Sequence, residues 1–211
     1  MPVALNEAVK ELGLSLRQEG YKRFGQSFNR ETEPGLIHVL GFQGSKWGDR
    51  FTVNAGVYVR EIDELFDDIM GREGAEAGRP KAVREGACWL RARIGDLDQQ
   101  NPHDTWWPYA QMDAALLDLR QRLIADVGPA LVAASTRSGL LAWWDQSTPR
   151  APRWRLEPRS PLGFALLLRN ADRVAEAQAI VQRLWEAAAG RPFQNVIEIQ
   201  AERLELGVRR D

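Results

Sequence analysis

Arg50-Phe51-Thr52-Val53-Asn54-Ala55-Gly56-Val57-Tyr58-Val59-Arg60 is the stretch that decides the fold. Phe51, Val53, Ala55, Val57 and Val59 recur at every second position, and Thr52, Asn54, Gly56, Tyr58 and Arg60 fill the gaps. Successive strand side chains point to opposite faces, so this run predicts a strand with one apolar and one polar side. Upstream, residues 36–42 form a second apolar run, joined to the first through Gln43-Gly44-Ser45-Lys46-Trp47-Gly48-Asp49. A glycine-containing loop between two strands predicts an antiparallel hairpin. Residues 21–32 read as another strand, broken near Gly25, and Glu33-Pro34-Gly35 is a turn signal. Downstream, Cys88, Leu90, Ala92 and Ile94 alternate with Trp89, Arg91 and Arg93, which predicts a fourth strand.

Helical spacing surrounds and follows these strands. Leu5, Ala8, Val9, Leu12 and Leu16 mark a first helix, with Gly20 as its stop. Ile62, Leu65, Phe66, Ile69 and Met70 form a helical stripe, and residues 71–86 read as a loop. Beyond Tyr109 only helical patterns appear. One ends near Gly128, Pro129 opens a short helix, Ser160-Pro161 opens another, and Asp172 is placed to cap the next. Segregated strands and helices predict an α+β fold: a mainly antiparallel sheet of about four strands in the N-terminal half and a helical C-terminal half. The expected organisation is a sheet domain over 1–108 and a helical region over 109–211 packing on it as one structural unit. Residues 145–159 are the linker candidate.

Composition narrows the function classes. The 211 residues are 44% hydrophobic and 27% charged, which is globular and long enough for a core without cross-links. Twenty-eight basic against 29 acidic side chains leave a net charge of −1, which argues against nucleic acid as an obligatory partner. No apolar run approaches the ~18 residues of a membrane span, and the first residues carry no apolar signal segment. The single cysteine, Cys88, points to a reducing cytoplasm. No cofactor is expected.

A resemblance rests on an ordered series of short pieces. They are Gly20-Tyr21-Lys22-Arg23, Phe28-Asn29-Arg30, Ile37-His38-Val39 and Phe42-Gln43-Gly44-Ser45-Lys46-Trp47-Gly48. Phe51 to Tyr58, Cys88 to Gly95, and Asp104-Thr105-Trp106-Trp107 follow. Over about residues 20–107 the chain resembles the bacterial family known as domain of unknown function 4304. The resemblance implies a small bacterial cytosolic protein and implies no reaction.

Motif by motif, the chemistry is sparse. Gly41-Phe42-Gln43-Gly44-Ser45-Lys46 lacks the spacing of a phosphate loop and sits between strands, so a hairpin loop is expected there, with Trp47 as its lid. His38 and Cys88 lie among apolar strand residues and are expected to be structural. Asp96, Asp98, His103 and Asp104 fall within nine residues and could hold a hard divalent cation that activates water, although they match no metal motif. The polar sheet side is the better candidate. Asn54, Tyr58, Arg91 and Arg93 project from it, and Asp104, Trp106 and Trp107 return towards it. Guanidinium groups suit carboxylates, and tryptophans anchor interfaces. Arg93 and Asp104 are expected to pair and pin the tryptophan loop to the sheet. The leading expectation is a non-catalytic binding module for a protein partner or a small anionic ligand, one version being a toxin-neutralising partner. The competing expectation is a metal-assisted hydrolase or nuclease using the Asp/His loop.

Overall fold

A computed structural model describes residues 3–69, 82–98, 100–145, 154–156 and 160–208. In chain order these form α1 (Val3–Gln18), β1 (Lys22–Phe24), β2 (Ser27–Glu33), β3 (Leu36–Gly44), β4 (Arg50–Val59) and α2 (Arg60–Ile69). Then come β5 (Leu90–Arg93), β6 (Trp107–Pro108), α3 (Met112–Arg122), a π-helical turn (Leu123–Val127), α4 (Gly128–Ala133) and α5 (Arg137–Asp145). The chain continues as β7 (Arg155–Leu156), α6 (Ser160–Asn170), α7 (Val174–Ala187) and α8 (Phe193–Arg203). The protein is α+β. Two compact units gather from these elements: one within Met1–Val59 and Arg79–Leu156, the other within Arg60–Gly78 and Glu157–Asp211. No helix among the described residues is long and apolar enough to cross a membrane.

The first unit holds one antiparallel sheet, in the order β1-β2-β3-β4-β5-β7, with β6 also pairing β4. The four predicted runs are its body. The run over 21–32 breaks at Gly25, whose φ of 62° fits the first central position of a tight hairpin. Gly35, at φ 81° after Pro34, closes the β2–β3 turn. The sheet is wider than the alternation predicts because β6 and β7 join it. Each has two residues, too few to carry an alternating pattern. Most of the linker candidate, residues 146–153 and 157–159, lies outside the described residues, but within it β7 pairs with β5. The 71–86 loop likewise falls largely outside them.

Leu5, Ala8, Val9, Leu12 and Leu16 of α1 are all buried, as their spacing predicts. The helix ends where Tyr21 N–H reaches the Leu16 carbonyl around Gly20, at φ 86°. On the apolar side of the sheet, the Phe28, Phe42, Phe51 and Trp107 rings contact one another in sequence, at centroid separations of 5.8, 6.5 and 5.6 Å. The polar side of β4 is not open. Thr52, Asn54, Gly56 and Tyr58 are buried, covered by residues of the 83–88 and 103–105 segments. Cys88 lies so close that a Cβ on Gly56 would stand 2.6 Å from its sulfur.

One helical expectation holds in outline and one needs correction. Pro129 lies in the first turn of the short α4, as expected, and α3 reaches it through the π-turn without a break in helical backbone. Pro129 has no N–H to donate and its ring crowds the preceding turn, so the helix widens by one residue, with Gly128 N–H bonding the Leu123 carbonyl. Asp172 does not cap α7. It takes φ 59° in the turn before the helix, and Arg173 occupies the N-cap position without a side-chain bond. In the second unit, α2 and α6 approach at Ile62 and Gly163, where a Cβ would come within 2.8 Å of Ile62. Ala177, Ile180 and Val181 of α7 and Ile197 and Ala201 of α8 are buried.

Candidate functional site

The residues singled out on the polar sheet side fall into three places. Asn54 and Arg93 are register partners across β4 and β5. Arg93 Nε lies 3.5 Å from Asn54 Oδ1, and its Nη1 donates to Asp104 Oδ1. Its guanidinium stacks 4.8 Å over the Trp106 ring, whose Nε1 donates to Asp104 Oδ2 at 3.0 Å. Asn54 Nδ2 completes the chain by donating to Gln43 Oε1 at 3.0 Å. Arg93, Asp104, Trp106 and Asn54 therefore form one network that ties the 103–106 loop to the strand end. Arg91 is separate and donates to Glu85 at 2.7 Å. Tyr58 sits in a buried cluster with Val39, Val83 and Cys88. Trp107 turns to the apolar side, its ring tilted 35° against Phe51 and its Nε1 donating to Asp118 Oδ2 at 2.8 Å. Adjacent residues in extended chain face opposite ways, so Trp106 and Trp107 do not share a pocket.

The Asp/His loop does not gather into a metal cage. Asp98 accepts the Gln100 and Asn101 amides at 3.0 and 2.9 Å and lies 3.5 Å from Arg122. The Asn101 amide is the main cause holding its carboxyl below the usual range, with Arg122 contributing. Asp96 faces the Arg93 amide, His103 Nδ1 lies 2.6 Å from the Asn101 carbonyl, and Asp104 is bound to Arg93. Among the described residues no group of three or more His, Cys, Asp or Glu side chains is placed to hold a metal ion. Burial pushes the Cys88 thiol well up, so it is not a poised nucleophile. Trp47 does not lid the hairpin: it is 72% exposed, with Lys46 4.6 Å over its ring.

A pocket that motif reading does not reveal lies on the other side of the sheet. Its volume is about 220 Å³, and it is bounded by the end of α1, by β2 and β3, and by the run from α3 through the π-turn into α4. Leu16, Leu40, Leu123, Val127 and Leu131 give it an apolar wall, and Ile124 and Val132 stand at it while remaining 75% and 66% exposed. Arg30 also lines it. Its guanidinium donates to the Glu19 carbonyl and to His38 Nδ1, both at 3.3 Å, and stacks 4.8 Å over Tyr21. Arg30 Nε is buried without an acceptor, and no carboxylate among the described residues comes within ion-pairing distance of the guanidinium. Its hydrogen-bond acceptors are neutral and it is in no ion pair, although the Glu19 carboxylate also lines the pocket.

His38 explains how Arg30 is held. The ring is fully buried, with Nε2 3.3 Å from the Ala134 carbonyl. A carbonyl only accepts and a guanidinium only donates, so the tautomer with its proton on Nε2 satisfies both neighbours. Burial lowers the His38 pKa to about 4, and the nearby Arg30 charge adds to the lowering. Burial pushes the Tyr21 phenol up to about 12, so it too is neutral. The sequence carried one faint signal of this site, a Gly128-Pro129 pair inside a helical stretch, whereas Arg30 meets His38 only through the β2–β3 register. Single-turn π-bulges occur frequently at functional sites.

Fold and site thus define an α+β protein with a pocket of about 220 Å³ against its sheet and no metal-holding His, Cys, Asp or Glu group among its described residues. The chain belongs to the family described as domain of unknown function (DUF4304), whose match spans residues 12–131, more than half its length. That span includes every pocket-lining residue except Val132. No curated protein and no solved structure matches the chain.

Proposed function

We propose that this protein is a non-catalytic binding module of the bacterial cytoplasm whose ligand is a small anion seated at Arg30. The observation that carries the reading is a guanidinium in the wall of an apolar pocket with only neutral hydrogen-bond acceptors. A partly desolvated cation without an ion-pair partner is stabilised when an anion arrives, and the surrounding apolar wall strengthens that attraction. Cytoplasmic residence fits the buried, unpaired Cys88. Isothermal titration of the full chain with a panel of small organic anions, repeated with Arg30→Met, tests it. Saturable binding that Arg30→Met weakens by about tenfold or more supports the reading. Binding indifferent to Arg30, or none, sinks it.

A protein partner is the second reading, with toxin neutralisation as one version. The exposed Trp47 beside Lys46 at the β3–β4 hairpin tip favours it, since tryptophan anchors interfaces. Trp47→Ala should then abolish partner binding without lowering the melting temperature.

A further inference from the structure

We infer that the Arg30 pocket takes a monocarboxylate with an apolar tail, its carboxylate at the guanidinium and its tail along the Leu123–Val132 segment. This rests on the small-anion reading above and narrows it. The charges lining the pocket are Arg30, Arg120 and Glu19, a net of +1 from two cations and one anion. One negative charge matches that balance. A dianionic phosphate monoester would leave charge uncompensated beside apolar walls. Tyr21 does not alter the sum, because its phenol stays protonated.

The apolar residues argue for the tail. Ile124 and Val132 remain in water beside a concave apolar surface, and a hydrocarbon chain lying there would cover both. Small-molecule sites usually run from ~300 Å³ upwards, so a pocket of about 220 Å³ suits a short ligand and no folded partner. The head-group side is preorganised. His38 backs Arg30, the Glu19 carbonyl holds its flank and Tyr21 lies under its plane, so binding orders little that is not already ordered.

Octanoate, octyl phosphate, 1-octanol and acetate separate head from tail. Each is titrated calorimetrically into the full chain, into Arg30→Met and into Ile124→Asp. Octanoate should bind tightest, by about tenfold over each of the others. Arg30→Met should remove that advantage over 1-octanol. Ile124→Asp, at a site exposed enough to spare the fold, should weaken octanoate by about tenfold. Preference for octyl phosphate, or acetate binding as tightly as octanoate, overturns this inference and leaves the small-anion reading intact. Equal affinity for octanoate and 1-octanol, or no binding at all, overturns both. Should Arg30→Met fail to fold, unchanged octanoate affinity in Ile124→Asp is enough to reject the tail assignment.

Discussion

His38 shows how much one buried side chain can decide. In the native protein its ring resists protonation until pH falls to about 4, whereas the unfolded chain takes that proton near its ordinary value of 6.5. Between those values the unfolded state binds more protons, so stability falls as pH drops through the window and levels off below it. The shift corresponds to ~3 kcal/mol. Thermal melts of the wild type and of His38→Gln from pH 7 to pH 4 should converge on acidification, because the variant lacks this titration while sharing every other. A constant gap across that range would show that His38 is not the titrating group. Arg93 and Asp104 make the opposite case. Their contact is direct, but Asp104 is 59% exposed, so water screens the pair. A double-mutant cycle with Arg93→Ala and Asp104→Ala should return a coupling below ~1 kcal/mol. The single Arg93→Ala change should cost more than that coupling, because it also removes the stack on Trp106 and the contact with Asn54. Asn54→Ala should likewise destabilise, since its amide is buried in the same network.

At the scale of elements, long strands with a strict period of two were readable directly, and short ones were not. β4 and β5 appear where alternation places them: β5 buries every second residue, and β4, buried on both faces, still alternates apolar with polar or small side chains. β6 and β7 are held by what lies beside them: β6 by the end of β4, β7 by β5. The segment linking β5 to β6 is irregular in sequence yet closely fitted in space. A Cβ on Gly95 would stand 2.1 Å from the His103 carbonyl oxygen, and that backbone cannot yield as a side-chain tip would. Gly95→Ala should therefore destabilise the protein by about 1–3 kcal/mol in urea titration, the range for overpacking a tight site. Gly86→Ala, with nothing within 4 Å, should leave the midpoint nearly unchanged. Equal effects would mean that backbone entropy, not the close approach, is responsible.

Across the whole molecule, protection should follow the sheet. β4 pairs with β3, β5 and β6 and is buried on both faces, whereas β1 pairs with β2 alone at the sheet edge. Native-state hydrogen exchange should find the slowest amides of the first unit in β3 and β4, and fast exchange in β1. Uniform protection across the sheet would contradict this ordering. By itself the sequence determined the fold class, the four main strands and the α1 stripe. Those properties follow from local periodicity and residue chemistry, which neighbours along the chain express. Only the tertiary structure decided that the polar side of β4 is covered, that Trp106 and Trp107 part company, and that the Asp/His loop is bound up with Arg93 and Arg122. It alone brought Arg30 of β2 to the wall formed with α1 and the π-turn, with His38 of β3 behind it. Behind it, residues as far apart as His38 and Ala134 meet, and nothing in the spacing of either segment records that meeting.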